Sequence, residues 1–160
     1  MNKNSLFVNK RSYLILAVIL IIGLGLRIPN FTQSLWFDEL WSTHIILNSL
    51  LALAKVSISD VHPPLYSIFM YLWIKIFGDS EVSIRIPPLL FGLACIFLTY
   101  LIANCLADRK LGKKVGLLAA IFMAISPVHI WYSQEARPYS ALVTLLLLGV
   151  YAYTNFQKKS

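Results

Sequence analysis

Four long stretches of this chain carry no Asp, Glu, Lys or Arg and are mostly apolar: Ser12–Leu26, Ile86–Ala107, Val115–Gln134 and Pro138–Gln157. A helix needs about 20 apolar residues to cross the roughly 30 Å hydrocarbon core of a bilayer. The last three stretches meet that length. The first is shorter, but Arg27 can snorkel and Ile28 can extend it. A mean hydropathy of +0.71, with 58% hydrophobic residues over 160, excludes an ordinary soluble domain. The expected fold class is therefore all-α: polytopic transmembrane helices, with amphipathic juxtamembrane helices in the first outer loop.

The first apolar run has the basic flank of a cleaved signal peptide, with Lys3, Lys10 and Arg11 before it. No small-residue cleavage site follows it, and Arg27 interrupts its exit, so it reads as an uncleaved first span. The net charge is +7, and the basic residues fall in three clusters. Lys3, Lys10 and Arg11 precede the first span; Arg109, Lys110, Lys113 and Lys114 follow the second; Lys158 and Lys159 close the chain. The positive-inside rule places all three on the cytoplasmic side. Scattered as loop caps, these charges form no basic face for nucleic acid. A fifth apolar run, Val61–Ile74, would put the 109–114 loop outside if it crossed. It also has only about 13 uncharged residues, short for a span. It is expected to lie in the outer interface, a place that suits Tyr66, Tyr71, Trp73 and Lys75.

The resulting topology is one membrane module over 1–160. Its spans are about 12–29, 84–107, 115–131 and 137–157, and both termini are cytoplasmic. An outer loop of about 30–83 holds interfacial helices at 40–55 and 62–77. In the first of these, His44, Asn48 and Lys55 form a polar stripe opposite Leu40, Leu47, Leu50, Leu51 and Ala54. A short outer turn lies near 132–136. Cys95 and Cys105 fall within one apolar span and read as small buried hydrophobes.

Polar residues at membrane depth are the candidates for chemistry. Asp38 and Glu39 stand in "SLWFDEL", wedged between Trp36, Phe37 and Trp41. Adjacent helical residues point about 100° apart, so one carboxylate can face a reaction centre while the other supports it. An acidic pair in the first turn of a helix is an equally ordinary reading. In "DVHPPLY", Pro63 and Pro64 open a helix and force His62 into extended backbone. His62 is then an incidental side chain or a positioned donor. Arg85, in "SEVSIRIPPLLFG", reads as a snorkelling cation or a guanidinium held for an anionic group. In "SPVHIWYSQEARPYSAL", His129, Trp131, Tyr132, Gln134, Glu135, Arg137 and Tyr139 crowd one turn between two apolar runs. Glu135 and Arg137 can pair with each other there. His44, His62 and His129 have no compact metal-ligand spacing, and metal dependence stays open.

In this order and spacing, "LWFDELWS", "HPPLY", "EVSIRIPPLLFG" and "SPVHIWYSQEARPYSAL" resemble the amino-terminal module of GT-C-type membrane glycosyltransferases. The likeness is to the dolichyl-phosphate-mannose–protein mannosyltransferase-like and aminoarabinose-transferase-like group of prokaryotes, and it runs from about Leu14 to Phe156. It implies a hexosyl or pentosyl transfer with inversion, from a polyprenyl-phosphate sugar to a protein, lipid or glycan acceptor on the outer face of the plasma membrane. It also implies Asp38 as catalytic carboxylate with Glu39 as its partner. His62 and Arg85 would line the donor or acceptor cavity, bounded by the His129–Tyr139 turn through His129, Tyr132, Gln134, Glu135, Arg137 and Tyr139. The leaving phosphate would need charge stabilisation, which Arg85, Arg137 or a divalent metal can offer. Members of the group are several times longer, so the chain is expected to be the amino-terminal part of a longer enzyme, and inactive in isolation. A non-catalytic membrane partner or truncated paralogue, and a small transporter or lipid scramblase, are the competing readings.

Overall fold

The computed structural model of the chain describes residues 10–29, 31–37, 39, 64–108 and 110–158. It is all-helical among them: α1 Lys10–Gly25, α2 Pro64–Phe77, α3 Glu81–Leu106, α4 Gly112–Ile125, α5 Pro127–Gln134 and α6 Tyr139–Gln157. The protein is an integral membrane protein with two to three candidate spans. The 26-residue α3 and the 19-residue α6 are long and apolar enough to cross, and α4 with α5 makes a third if the bent pair counts as one. At 16 residues, or about 24 Å, α1 is shorter than the expected first span. The expected outer helix at 62–77 corresponds to α2. The expected helix at 40–55 lies outside the described residues.

The centre of the bundle is α3. Its carboxy-terminal half packs on α1 and α4 around Leu16, Ile19, Ile96, Tyr100, Ala120 and Ala124. Close approach to α4 rests on small residues at every fourth position: Gly112, Gly116, Ala120 and Ala124 are all buried. A Cβ on Gly116 would lie 2.8 Å from the carbonyl oxygen of Tyr100. Such small-xxx-small stripes suit association in lipid, where apolar side chains gain nothing by leaving the solvent. Large apolar side chains such as Leu14, Ile21, Phe122, Leu145 and Leu146 point outward instead.

Helix directions alternate. Tyr13 meets Tyr100 edge-on at 6.2 Å between ring centroids, while Gly23 sits beside Ile96, so α1 runs against α3. Gly112 abuts Asn104, so α4 also runs against it. Cys95 contacts Ser140 and Thr144, and the Lys158 ammonium donates to the Cys105 carbonyl, so α6 runs with α3. Lys10, Arg11, Lys110, Lys113, Lys114 and Lys158 therefore gather at one end of the bundle. The other end holds the carboxy terminus of α1, the start of α3, α5 and the start of α6.

Two prolines shape that second end. Pro87 has no N–H to bond the carbonyl four residues back. That carbonyl, of Ser83, instead accepts from Trp73 Nε1 at 2.9 Å and docks α2 on α3. The α2–α3 turn uses Gly78 at φ +83° and Ser80, whose Oγ accepts from Ser83 N at 3.2 Å as an N-cap. Pro127 stands at the first position of α5 and breaks the run read as one span over 115–131: α4 and α5 meet at 60°.

Candidate functional site

Glu39 organises the cavity end. It is 1% exposed. Its carboxylate pairs with Arg85 Nη2 at 2.9 Å, accepts from the Ala136 backbone N–H at 2.7 Å, and accepts from Trp36 N at 3.1 Å. One side chain thus joins the loop after α1, the first turns of α3 and the turn between α5 and α6. Arg85 completes the clamp by donating from Nη1 to the carbonyls of Gln33 at 2.6 Å and Phe31 at 3.2 Å. An arginine fork suits this position because it serves a carboxylate and two carbonyls at once. Arg85 is 2% exposed, so it does not snorkel.

Beneath the clamp, α2 closes an apolar layer of Met70, Ile74, Ile84 and Ala136, with Leu35, Tyr66 and Tyr71 against it. Burial, and then the negative charge of Glu39, push the Tyr66 phenol above its ordinary pKa. It therefore stays neutral beside that carboxylate across the physiological range.

Beside the clamp lies a small, half-open cavity lined by Gln33, Trp36, Arg85, Trp131, Gln134 and Glu135. Trp36 and Trp131 form its aromatic walls, with ring centroids 6.3 Å apart. The Trp131 indole N–H donates to the Glu135 carboxylate at 2.5 Å, and Gln134 donates to the Leu26 carbonyl at 3.4 Å. Flat aromatic faces, two amides, a carboxylate and a guanidinium suit a small, hydroxyl-rich ligand better than an apolar one.

The structure divides the residues that the sequence grouped together. Arg85, Gln134 and Glu135 line the cavity, and Glu39 braces it. On the flank, Tyr132 stacks on Tyr139 at 4.6 Å and the Arg137 guanidinium lies 5.4 Å from the Tyr139 ring centroid. His129 is buried, faces Arg27, and is absent from the cavity lining. Asp38 and His62 lie outside the described residues. Among the described residues no three of His, Cys, Asp and Glu converge on a point that could hold a metal ion.

Two contributions were missed. Gln33 is an unremarked polar residue in the sequence, yet it lines the cavity and supplies a carbonyl that Arg85 bonds. Arg27 does not snorkel: it is 0% exposed, with Nη1 donating to the Gly23 carbonyl at 2.7 Å and the Ala124 carbonyl at 3.1 Å. The available signal was an arginine just past the end of an apolar run, where helix carbonyls lack partners.

Residues 61–160 match the family model described as dolichyl-phosphate-mannose-protein mannosyltransferase. No curated protein and no solved structure matches the chain.

Proposed function

The chain belongs to the dolichyl-phosphate-mannose-protein mannosyltransferase family and is a membrane glycosyltransferase-like domain; from that premise we propose that it transfers a sugar from a polyprenyl-phosphate donor to an acceptor hydroxyl at the cavity end of the bundle. The observation that carries the proposal is the 2.7 Å bond from Ala136 N–H to Glu39. It ties Glu39 to the Glu135–Tyr139 turn, so Glu39, the cavity and Arg137 lie at one end of the molecule.

Asp38 is the general base. It takes the proton of the acceptor hydroxyl as that oxygen bonds the anomeric carbon. The bond from that carbon to the phosphate oxygen breaks, the polyprenyl phosphate leaves with the electron pair, and attack from the opposite face inverts the centre. Glu39 supports this chemistry by holding the segment, because its oxygens are already engaged by Arg85, Ala136 and Trp36. Arg85 is likewise engaged by Glu39 and two carbonyls. Arg137, at the same end, offers charge compensation to the leaving phosphate, with a divalent cation as a further means. Trp36 and Trp131 stack on the sugar, while Gln33, Gln134 and Glu135 bond its hydroxyls. His62 completes the acceptor side, and Tyr132 and Tyr139 hold Arg137 in place.

The test is transfer from a polyprenyl-phosphate sugar in proteoliposomes, reading both the released polyprenyl phosphate and the configuration of the product. Asp38→Asn should remove activity by about 100-fold or more without weakening donor binding. Undiminished transfer by Asp38→Asn, or a product with retained configuration, defeats the assignment.

A further inference from the structure

The buried Arg27 has no carboxylate beside it among the described residues. Its charge is met by the carbonyl ends of two helices. Gly23 belongs to the last turn of α1, and Met123 and Ala124 belong to the last turn of α4. Arg27 Nη1 reaches Gly23 and Ala124, and Nη2 reaches the Met123 carbonyl at 3.5 Å. Each helix terminus carries a partial negative charge from unpaired carbonyls, so a cation between two of them is well placed. The remaining Nη2 contact is His129 Nδ1 at 2.8 Å. A guanidinium can only donate, so Nδ1 accepts and the imidazole proton sits on Nε2. His129 is on α5, two residues before Trp131 and five before Gln134. One turn further along the same face, α5 presses directly on α3 beside the guanidinium: a Cβ on Gly92 would run into Ser133 Oγ and lie 3.5 Å from Arg27 Nε.

We propose that Arg27 and His129 are positioning residues that set the bend between α4 and α5 and thereby fix the cavity wall. Arg27 fills the gap that Pro127 opens in the helix ladder: the Met123 carbonyl has lost its partner there, and the Ala124 carbonyl lies at the break. The guanidinium bonds both, and the same group holds α5 through His129. With Gly92 allowing Ser133 to approach α3 one turn beyond His129, α5 is held at two points along one face. That orientation carries Trp131, Gln134 and Glu135 into the cavity. Lysine cannot replace Arg27, because an ammonium has no planar fork to span carbonyls from two helices and an imidazole.

The test uses the full chain labelled with 5-fluorotryptophan in micelles, with the Trp131 fluorine resonance assigned by its loss in Trp131→Phe. Arg27→Met and His129→Leu should shift that resonance. His129→Asn, whose amide oxygen can take the place of Nδ1 as acceptor, should leave it near the wild-type position. Should Arg27→Met fail to fold, Arg27→Lys, which keeps the charge, is expected to shift it as well. A Trp131 resonance unmoved in folded Arg27→Met or Arg27→Lys overturns the proposal, as does a shift in His129→Asn equal to that in His129→Leu. The kinetic consequence rests on the transferase reading. There, Arg27→Lys should lower kcat by about 100-fold while KM changes less than about threefold. Shifted resonances together with transfer that Asp38→Asn leaves undiminished would uphold the positioning role and defeat the catalytic assignment alone.

Discussion

Burying a carboxylate and a guanidinium together removes two strongly hydrated groups from water, and their attraction offsets that loss only when the other lone pairs and protons are bonded too. Glu39 and Arg85 meet the condition through Ala136, Trp36, Gln33 and Phe31. Removing one partner leaves the other charged and buried. Glu39→Ala is therefore expected to cost about 3–5 kcal/mol, and Arg85→Ala a similar amount. The double variant should lose much less than the sum, because no orphaned charge remains. Denaturation midpoints of the two single variants and the double variant in micelles check this; additive losses would show that the pair is not coupled. The sequence made the acid pair conspicuous, and it implied that two neighbouring side chains point different ways. It could not say which of them is the brace. That depends on the backbone N–H of Ala136, 97 residues further along, and a backbone donor leaves no trace in the sequence. Arg27 escaped for the same reason, since all its carbonyl partners are backbone.

Among the helices, those longer than about 18 apolar residues were legible because lipid demands length, and length is written directly in the sequence. The break at Ser126 was not, because Pro127 and Ser126 sit inside an uncharged run whose hydropathy does not change across the bend. Packing between helices was also recoverable in part: the four-residue repeat Gly112, Gly116, Ala120, Ala124 marks the face of α4 that meets α3. Its consequence is measurable. A side chain at Gly116 would strike the Tyr100 carbonyl, and backbone cannot move aside as a flexible side chain can. Gly116→Val should then destabilise the bundle by about 2–3 kcal/mol, as overpacking does. A Cβ added at Gly149, in α6, would instead enter open space, with no neighbour within 4 Å. Gly149→Ala should be neutral or stabilising by about 0.5–1 kcal/mol, since it removes only backbone freedom from the unfolded helix. Unfolding in a denaturing detergent titration distinguishes the two. Equal effects would mean that the α3–α4 contact is not as close as the structure has it.

The whole bundle is polar in a second sense: one end is strongly basic, while at the other the described acidic and basic residues balance. Lys10, Arg11, Lys110, Lys113, Lys114 and Lys158 stand at the end where α3 and α6 finish, with Asp108 the acidic residue among them. Glu39, Asp79, Glu81 and Glu135 stand at the cavity end, where α3 and α6 begin, together with Arg27, Lys75, Arg85 and Arg137. The alternating helix directions bring both limits of the described chain, Lys10 and Lys158, to the basic end. Basic loops are retained on the cytoplasmic side, so the cavity should open on the opposite face, where a lipid-linked sugar and an external acceptor can meet. Single cysteines at Asp79 and at Lys110, in a chain with Cys95 and Cys105 replaced by Ala, put this to the test in intact cells. A membrane-impermeant maleimide should modify position 79 at once and position 110 only after permeabilisation. Labelling at 110 from outside would invert the molecule and place the cavity in the cytoplasm. The transfer chemistry could still operate on that face, but its acceptor would then have to be cytoplasmic. Orientation therefore decides the class of acceptor before any assay of transfer begins.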